Sequence, residues 1–308
     1  MNVYIDAEYF DVLQKQYEAE KGNFFSTSGN NLRAIFNLLS ALKIHTTVSK
    51  NEIIKYAKGL AGNKEYASLK DVVISQSLKK QQLNSVKSID TVKDYNGFYF
   101  LKNHFPEENN VIVKDEKYDF KYFYEDCSVS VYSFNGSIGD LKQFIPPANA
   151  MIISDPYIFD EPLDIKIGKV REFINLIKAN CIDIPFHLSI LTRTENICKV
   201  KKGFEELSKI DNLAIQIVTL NKKDCERDRN IFTNYTSITI GHPFENKKTN
   251  FNQNFFAVEN DPVKISMNYT TNRSQLDDIK KKISNMPEYI RGVQHKWQNT
   301  KFTNRLFN

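Results

Sequence analysis

Ala150-Met151-Ile152-Ile153-Ser154-Asp155 is an unbroken apolar run that closes on a serine and an acid. It is too short for an amphipathic helix and shows no polar alternation. It therefore reads as a strand buried on both faces of a sheet, with an aspartate at its carboxyl end. The sequence on either side keeps to the same plan. Upstream, Val129, Val131 and Phe134 suggest a strand, and residues 138–145 a short helix stopped by Pro146-Pro147. Downstream, residues 165–179 read as a helix with Ile165, Val170, Phe173, Ile174 and Ile177 on its inner side, residues 187–191 as a strand, 202–210 as a helix and 213–219 as a strand. Alternation of this kind predicts a largely parallel sheet with helices on both faces. Three more short strands are expected at 230–233, 237–240 and 255–258.

The first half is less regular. A strand at Val3, Tyr4 and Ile5 ends at Asp6, and a helix follows over residues 9–20. Residues 24–31 concentrate turn formers, and Leu32, Ile35, Phe36, Leu38, Leu39 and Leu42 then have helical spacing. Ser49 and Glu52 are placed as a capping box, with a helix to about Gly59 or Gly62. Residues 69–83 read as one helix, and 97–101 and 111–113 as strands. The 308 residues exceed one ordinary domain. The reading is a smaller α+β domain over 1–125, followed by a mixed α/β domain over 126–308 that ends in a basic tail.

Composition excludes several classes. Hydrophobic residues make up 41% and charged residues 26%, enough apolar mass for a packed core. No apolar run approaches the ~20 residues of a membrane span, and no basic-then-apolar leader opens the chain, so a cytoplasmic protein without membrane contact is expected. Cys127, Cys181, Cys198 and Cys225 form no C-x-x-C pair, which argues against a zinc site. No phosphate-binding glycine loop is present, and no cofactor is expected. Asp6 at a strand end could hold a divalent ion only if acids such as Glu8, Asp71 or Asp90 converged on it; capping of the next helix is the simpler role.

Between the 213–219 strand and the 237–240 strand lies Arg227-Asp228-Arg229-Asn230-Ile231-Phe232-Thr233-Asn234, entered through a charged loop and followed by Gly241-His242. This arrangement resembles the second half of a phospholipase D-like domain, over about residues 127–258. That superfamily uses H-x-K-x-x-x-x-D, with the histidine as nucleophile or proton donor and the lysine on phosphate; some relatives carry a variant resembling H-D-R. Aligned on Asp228-Arg229, Arg227 stands at the histidine position and Asn234 at the acidic one. The resemblance implies a mixed sheet flanked by helices, a degenerate active site and, through its bacterial relatives, a setting in defence or on mobile elements.

The departures from the motif decide the chemistry. A guanidinium is always protonated and cannot act as nucleophile, and Asn234 supplies no negative charge. Arg227 and Arg229, two apart on an extended segment, share a face and could hold a phosphate by charge-assisted forks; the alternative is an ion-pair network with acids such as Asp155. His242 could face the same cleft. The tail carries Lys280, Lys281, Lys282, Arg291, Lys296, Lys301 and Arg305 against Glu288 alone, with Trp297 and Phe302 among them. Such a segment suits nucleic acid, with Lys280, Lys281, Lys282, Arg291, Lys296 and Trp297 as contacts. The competing reading is a helix and a strap whose aromatics dock on the core. Two functions stay open: a non-catalytic binder of nucleic acid, of a phosphate-bearing ligand or of a protein partner (a second copy included), and a nuclease or phosphodiesterase with non-standard catalytic residues.

Overall fold

The computed structural model describes residues 2–20, 39–59, 68–89, 97–100, 110–113, 120–123, 145, 148–178, 185–193, 197–220, 229–240, 256–259, 271–284 and 296–307. The loop expected at 24–31, the helical run over 32–38, the strand at 129–134 and the helix at 138–144 lie outside these residues, as do Asp90, Cys127, Cys181, Cys225, Arg227, His242 and Arg291. The chain divides into two compact units, Met1–Ser128 and Val129–Asn308.

In the first unit a six-stranded sheet has the order β3-β2-β1-β4-β5-β6. Its strands are β1 (Asn2–Ile5), β2 (Lys43–Thr46), β3 (Leu83–Ser85), β4 (Gly97–Phe100), β5 (Asn110–Val113) and β6 (Phe120–Phe123). The unit's described helices include α1 (Tyr9–Glu20), α2 (Lys50–Gly59) and α3 (Leu69–Lys79). β1 pairs in parallel with both β2 and β4, and β2 with β3, whereas β5 and β6 are antiparallel. Four of the six strands thus form a parallel α/β array, which corrects the expectation of an α+β unit. The helix expected over 69–83 stops at Lys79, and its last residues belong to β3 instead. Val3 and Ile5 are fully buried in the centre, and Tyr4 stacks between His45 and Tyr99 at 4.8 and 4.7 Å. Of the box expected at Ser49 and Glu52 the structure shows one half, Ser49 Oγ accepting from the Glu52 N–H at 3.2 Å, while Glu52 Oε1 pairs with Lys70; a complete capping box stands instead at Ser68 and Asp71 on α3.

The second unit is a seven-stranded mixed sheet of order β12-β11-β10-β7-β8-β9-β13. Here β7 is Ala150–Ser154, β8 Phe186–Arg193, β9 Leu213–Leu220, β10 Arg229–Thr233, β11 Ser237–Ile240, β12 Phe256–Glu259 and β13 Lys296–Gln298. β7, β8 and β9 are parallel, and their crossovers are α4 (Leu163–Ile177) and α5 (Ile197–Leu207). Successive strands step in one direction, so right-handed crossovers put both helices on one face. There Val170, Phe173, Ile174, Val200 and Leu207 pack on Met151, Ile153, Ile190 and Ile217. The other face is covered by α6 (Thr271–Ser284) and a single 3-10 turn, Arg305–Phe307, through Leu276, Ile279, Ile283, Leu306 and Phe307 on Ile152, Leu191 and Val218. Burial on both sides explains why the three central strands carry so little alternation.

The C-terminal segment is part of this core. β13 pairs antiparallel with β9, Trp297 opposite Ile217, which closes an otherwise open sheet edge. Two asparagines fix it. Asn299 mimics a strand residue, its Oδ1 accepting from the Ile215 N–H at 2.9 Å and its Nδ2 donating to the Leu213 carbonyl at 2.8 Å. Fully buried Asn304 donates from Nδ2 to the Met151 carbonyl at 3.1 Å and to Ser189 Oγ at 2.9 Å.

Candidate functional site

The carboxyl ends of β7 and β8 open beside the first residue of β10. In open α/β sheets this is the end where ligands bind, because loops there converge without helices in the way. The Asn230–Ser154 pair of the β10–β7 ladder brings Arg229 next to Asp155, and Arg229 Nε lies 3.5 Å from Asp155 Oδ1. Both side chains are buried, at 9% and 5% exposure, so this is an internal ion pair and not a surface one. Asp155 Oδ1 also accepts from the Tyr157 N–H at 2.8 Å, which turns the chain so that the Tyr157 ring returns over the site.

Two guanidiniums lie over that ring. Arg193, the last residue of β8, has its Cζ 4.2 Å from the ring centroid, and Arg229 has its Cζ at 4.9 Å. The negative face of a tyrosine attracts a cation, so one ring offsets part of the repulsion between two like charges. Buried Lys166 donates from Nζ to the Tyr157 carbonyl at 2.8 Å and anchors the same turn from α4. Arg193, Arg229, Lys166, Tyr157 and Asp155 thus form one cationic cluster. The half-buried Arg193 is its more accessible arginine.

Asn234 is not part of this cluster. It follows β10 at the opposite end, five residues from Arg229, or roughly 16 Å along an extended strand. Fully buried, it accepts at Oδ1 from the N–H groups of Asn149 and Ala150, both at 3.0 Å, and donates from Nδ2 to Asn149 Oδ1 at 3.1 Å. The carboxamide therefore fastens the entry of β7 and takes no part in a phosphate site with Arg229. The histidine described in this unit, His187, also lies at that far end, on the second residue of β8.

The basic tail divides similarly. Lys280 donates to the Phe307 carbonyl at 2.8 Å, joining α6 to the 3-10 turn, and Lys281 lies 3.9 Å from Asp278 on exposed surface. Arg305 donates to the carbonyls of Asn149 and Pro185 at 3.0 and 2.7 Å. Lys282 is half-buried, Lys296 is half-buried on β13, and Trp297 packs against the α4–α5 side of the core. Among the described residues of the tail, 296–307 run as a strap along the second unit, with Trp297 packed on its core.

In the first unit, Asp6 donates its N–H to the Phe100 carbonyl and accepts at its own carbonyl from the Tyr9 N–H, both at 3.0 Å, at the start of α1. Asp71 is committed to the α3 capping box. No three His, Cys, Asp or Glu side chains converge among the described residues. No described helix is long and apolar enough to cross a membrane.

Sequence reasoning missed Arg193, Tyr157 and Lys166. Arg193 had a usable signal: it ends a buried parallel strand, as Asp155 follows one, and such ends meet in space. Lys166 had none, since a lysine on a helix ordinarily faces solvent. No protein-family model matches the chain, and a search of curated proteins finds no match.

Proposed function

We propose that the chain is a non-catalytic binding protein whose second unit is a degenerate phospholipase D-like domain holding a phosphate-bearing ligand, nucleic acid foremost. The observation that carries this reading is the pair of guanidiniums over Tyr157 at the carboxyl ends of β7 and β8. Guanidinium forks match phosphate oxygens geometrically and bind them without offering a nucleophile. The seven-stranded mixed sheet with helices on both faces is the kind of scaffold the resemblance implies, and Arg229 of the motif is the first residue of its β10 strand. Arg227 and His242 lie outside the described residues, so the cluster is defined by Arg193 and Arg229.

The test is an assay of cleavage and of binding on the same preparation. Hydrolysis of bis(p-nitrophenyl) phosphate in EDTA should be absent. A labelled single-stranded oligonucleotide should bind in the presence of the chelator, with affinity that falls as salt rises and that drops about tenfold in Arg193→Gln. Robust hydrolysis abolished by Arg227→Ala would overturn the proposal. Metal-dependent cleavage would favour the nuclease alternative, and absence of binding at low salt would leave a protein partner.

A further inference from the structure

Between α6, β13 and the C-terminal strap lies a cleft of about 450 Å³, lined by Gln216, Ser284, Lys296, Lys301, Phe302 and Thr303, among others. Its volume lies within the range of small-molecule sites, roughly 300–1,000 Å³. It sits on the α6 side of β9, apart from the arginine cluster at the carboxyl ends of β7 and β8.

Three features of the lining point to one ligand chemistry. Lys296 and Lys301 both border the cleft, and among the described residues no carboxylate does, which favours an anion. Phe302 offers an aromatic wall; its position is fixed by His187, whose ring lies 4.6 Å away. The third feature is Gln216, which is 1% exposed. Its Nε2 donates to Ser189 Oγ at 2.7 Å, while its Oε1 has no hydrogen-bond partner among the described residues. A buried carboxamide with one end unpaired is costly, and a ligand group that completes it recovers that cost on binding.

An anionic group for two lysines, a flat ring for Phe302 and a polar edge for a half-paired carboxamide are the parts of one molecule. We propose that this cleft binds a nucleoside monophosphate, its phosphate held by Lys296 and Lys301, its base against Phe302 with an N–H donated to Gln216 Oε1. A base is a suitable match because its edge presents donors next to acceptors, which a glutamine amide reads directly. The site is independent of the arginine cluster.

The full-length chain is titrated by calorimetry with each of the four common ribonucleoside monophosphates, and with inorganic phosphate as the probe of bare anion binding. At least one nucleotide should bind ten times or more tighter than phosphate and raise the melting temperature. Lys301→Gln, at an exposed position that should not affect folding, and Lys296→Gln should each weaken it at least fivefold and flatten its salt dependence. Gln216→Leu should weaken it without changing the salt dependence. Lys209→Gln, a charge-matched change at a surface pair with Glu206, should leave it unaltered. No nucleotide binding at millimolar concentration, phosphate binding as tightly as every nucleotide, or nucleotide affinity unmoved by Lys296→Gln and Lys301→Gln would each overturn the proposal.

Discussion

A histidine drawn partly out of water resists protonation, because the charged ring loses hydration without gaining a counter-ion. His187 is in this position: burial and then the nearby Arg305 charge lower its pKa from 6.5 to about 4, opposed by a hydrogen bond to the Thr303 backbone. Between these values the unfolded chain binds more protons than the folded one, so stability rises with pH. The contribution is complete above about pH 6.5, is lost as pH falls toward 4, and is absent below that. Urea midpoints measured from pH 7.5 to 4.5 should therefore fall less in His187→Gln than in the native chain. At this scale the sequence named the right residues more often than the right neighbours. Asp155 and Arg229 were both visible as polar residues at strand ends, and their ion pair was one of two readings. The register of β10 on β7 decides between neighbours, and register depends on turns whose geometry local sequence does not specify. Asn234 shows the same limit, since its separation from Arg229 along the strand turns an apparent motif partner into a fastening at the other end of the sheet.

Elements were legible where burial leaves a long apolar run, as in β7, β8 and β9, and illegible where short polar strands rely on neighbours. Lys43-Ile44-His45-Thr46 and Leu83-Asn84-Ser85 carry one large apolar residue each, yet they form half of the parallel sheet in the first unit. The break between α3 and β3 was hidden because no glycine marks it. Gln81 takes the left-handed conformation, φ 55°, and the N–H groups of Gln81 and Gln82 close the helix onto Leu78 and Ser77. Helix packing makes two glycines respond in opposite directions. A Cβ on Gly203 of α5 would lie 2.4 Å from the buried Phe159 ring, while one on Gly168 of α4 would meet nothing within 4 Å. Gly168→Ala should stabilise by about 1 kcal/mol through helix propensity, whereas Gly203→Ala should destabilise by about 1–3 kcal/mol through overpacking. Equal responses in urea titration would show that Phe159 yields freely. The edge strand β13 makes a similar point, for its one aromatic residue serves the core. Trp297→Ala should lower stability by roughly 2 kcal/mol, less than for a fully buried ring because Trp297 stays partly exposed. Unchanged thermal unfolding with a loss of oligonucleotide affinity would instead assign Trp297 to base stacking.

At the scale of the whole molecule, the composition of the cores bears on independence. Among the described residues, every member of the two clusters of the second unit lies between Ile145 and Phe307. Two covered sheet faces and a closed β9 edge meet the requirements of a domain that folds alone. A fragment spanning residues 129–308 should therefore unfold in one cooperative transition. The strap makes the prediction asymmetric. Removing residues 296–308 would expose the β9 edge, withdraw Leu306 and Phe307 from the α6 side of the core and leave the Met151 carbonyl without the Asn304 amide. A fragment of residues 129–295 should accordingly bind a hydrophobic dye and aggregate on warming, as expected of an uncovered apolar face and an open edge. Calorimetry of both fragments separates the possibilities. A molten 129–308 beside a folded full chain would mean that the two halves share one core. A cooperative 129–295 would mean that the strap only decorates a sheet that is stable without it.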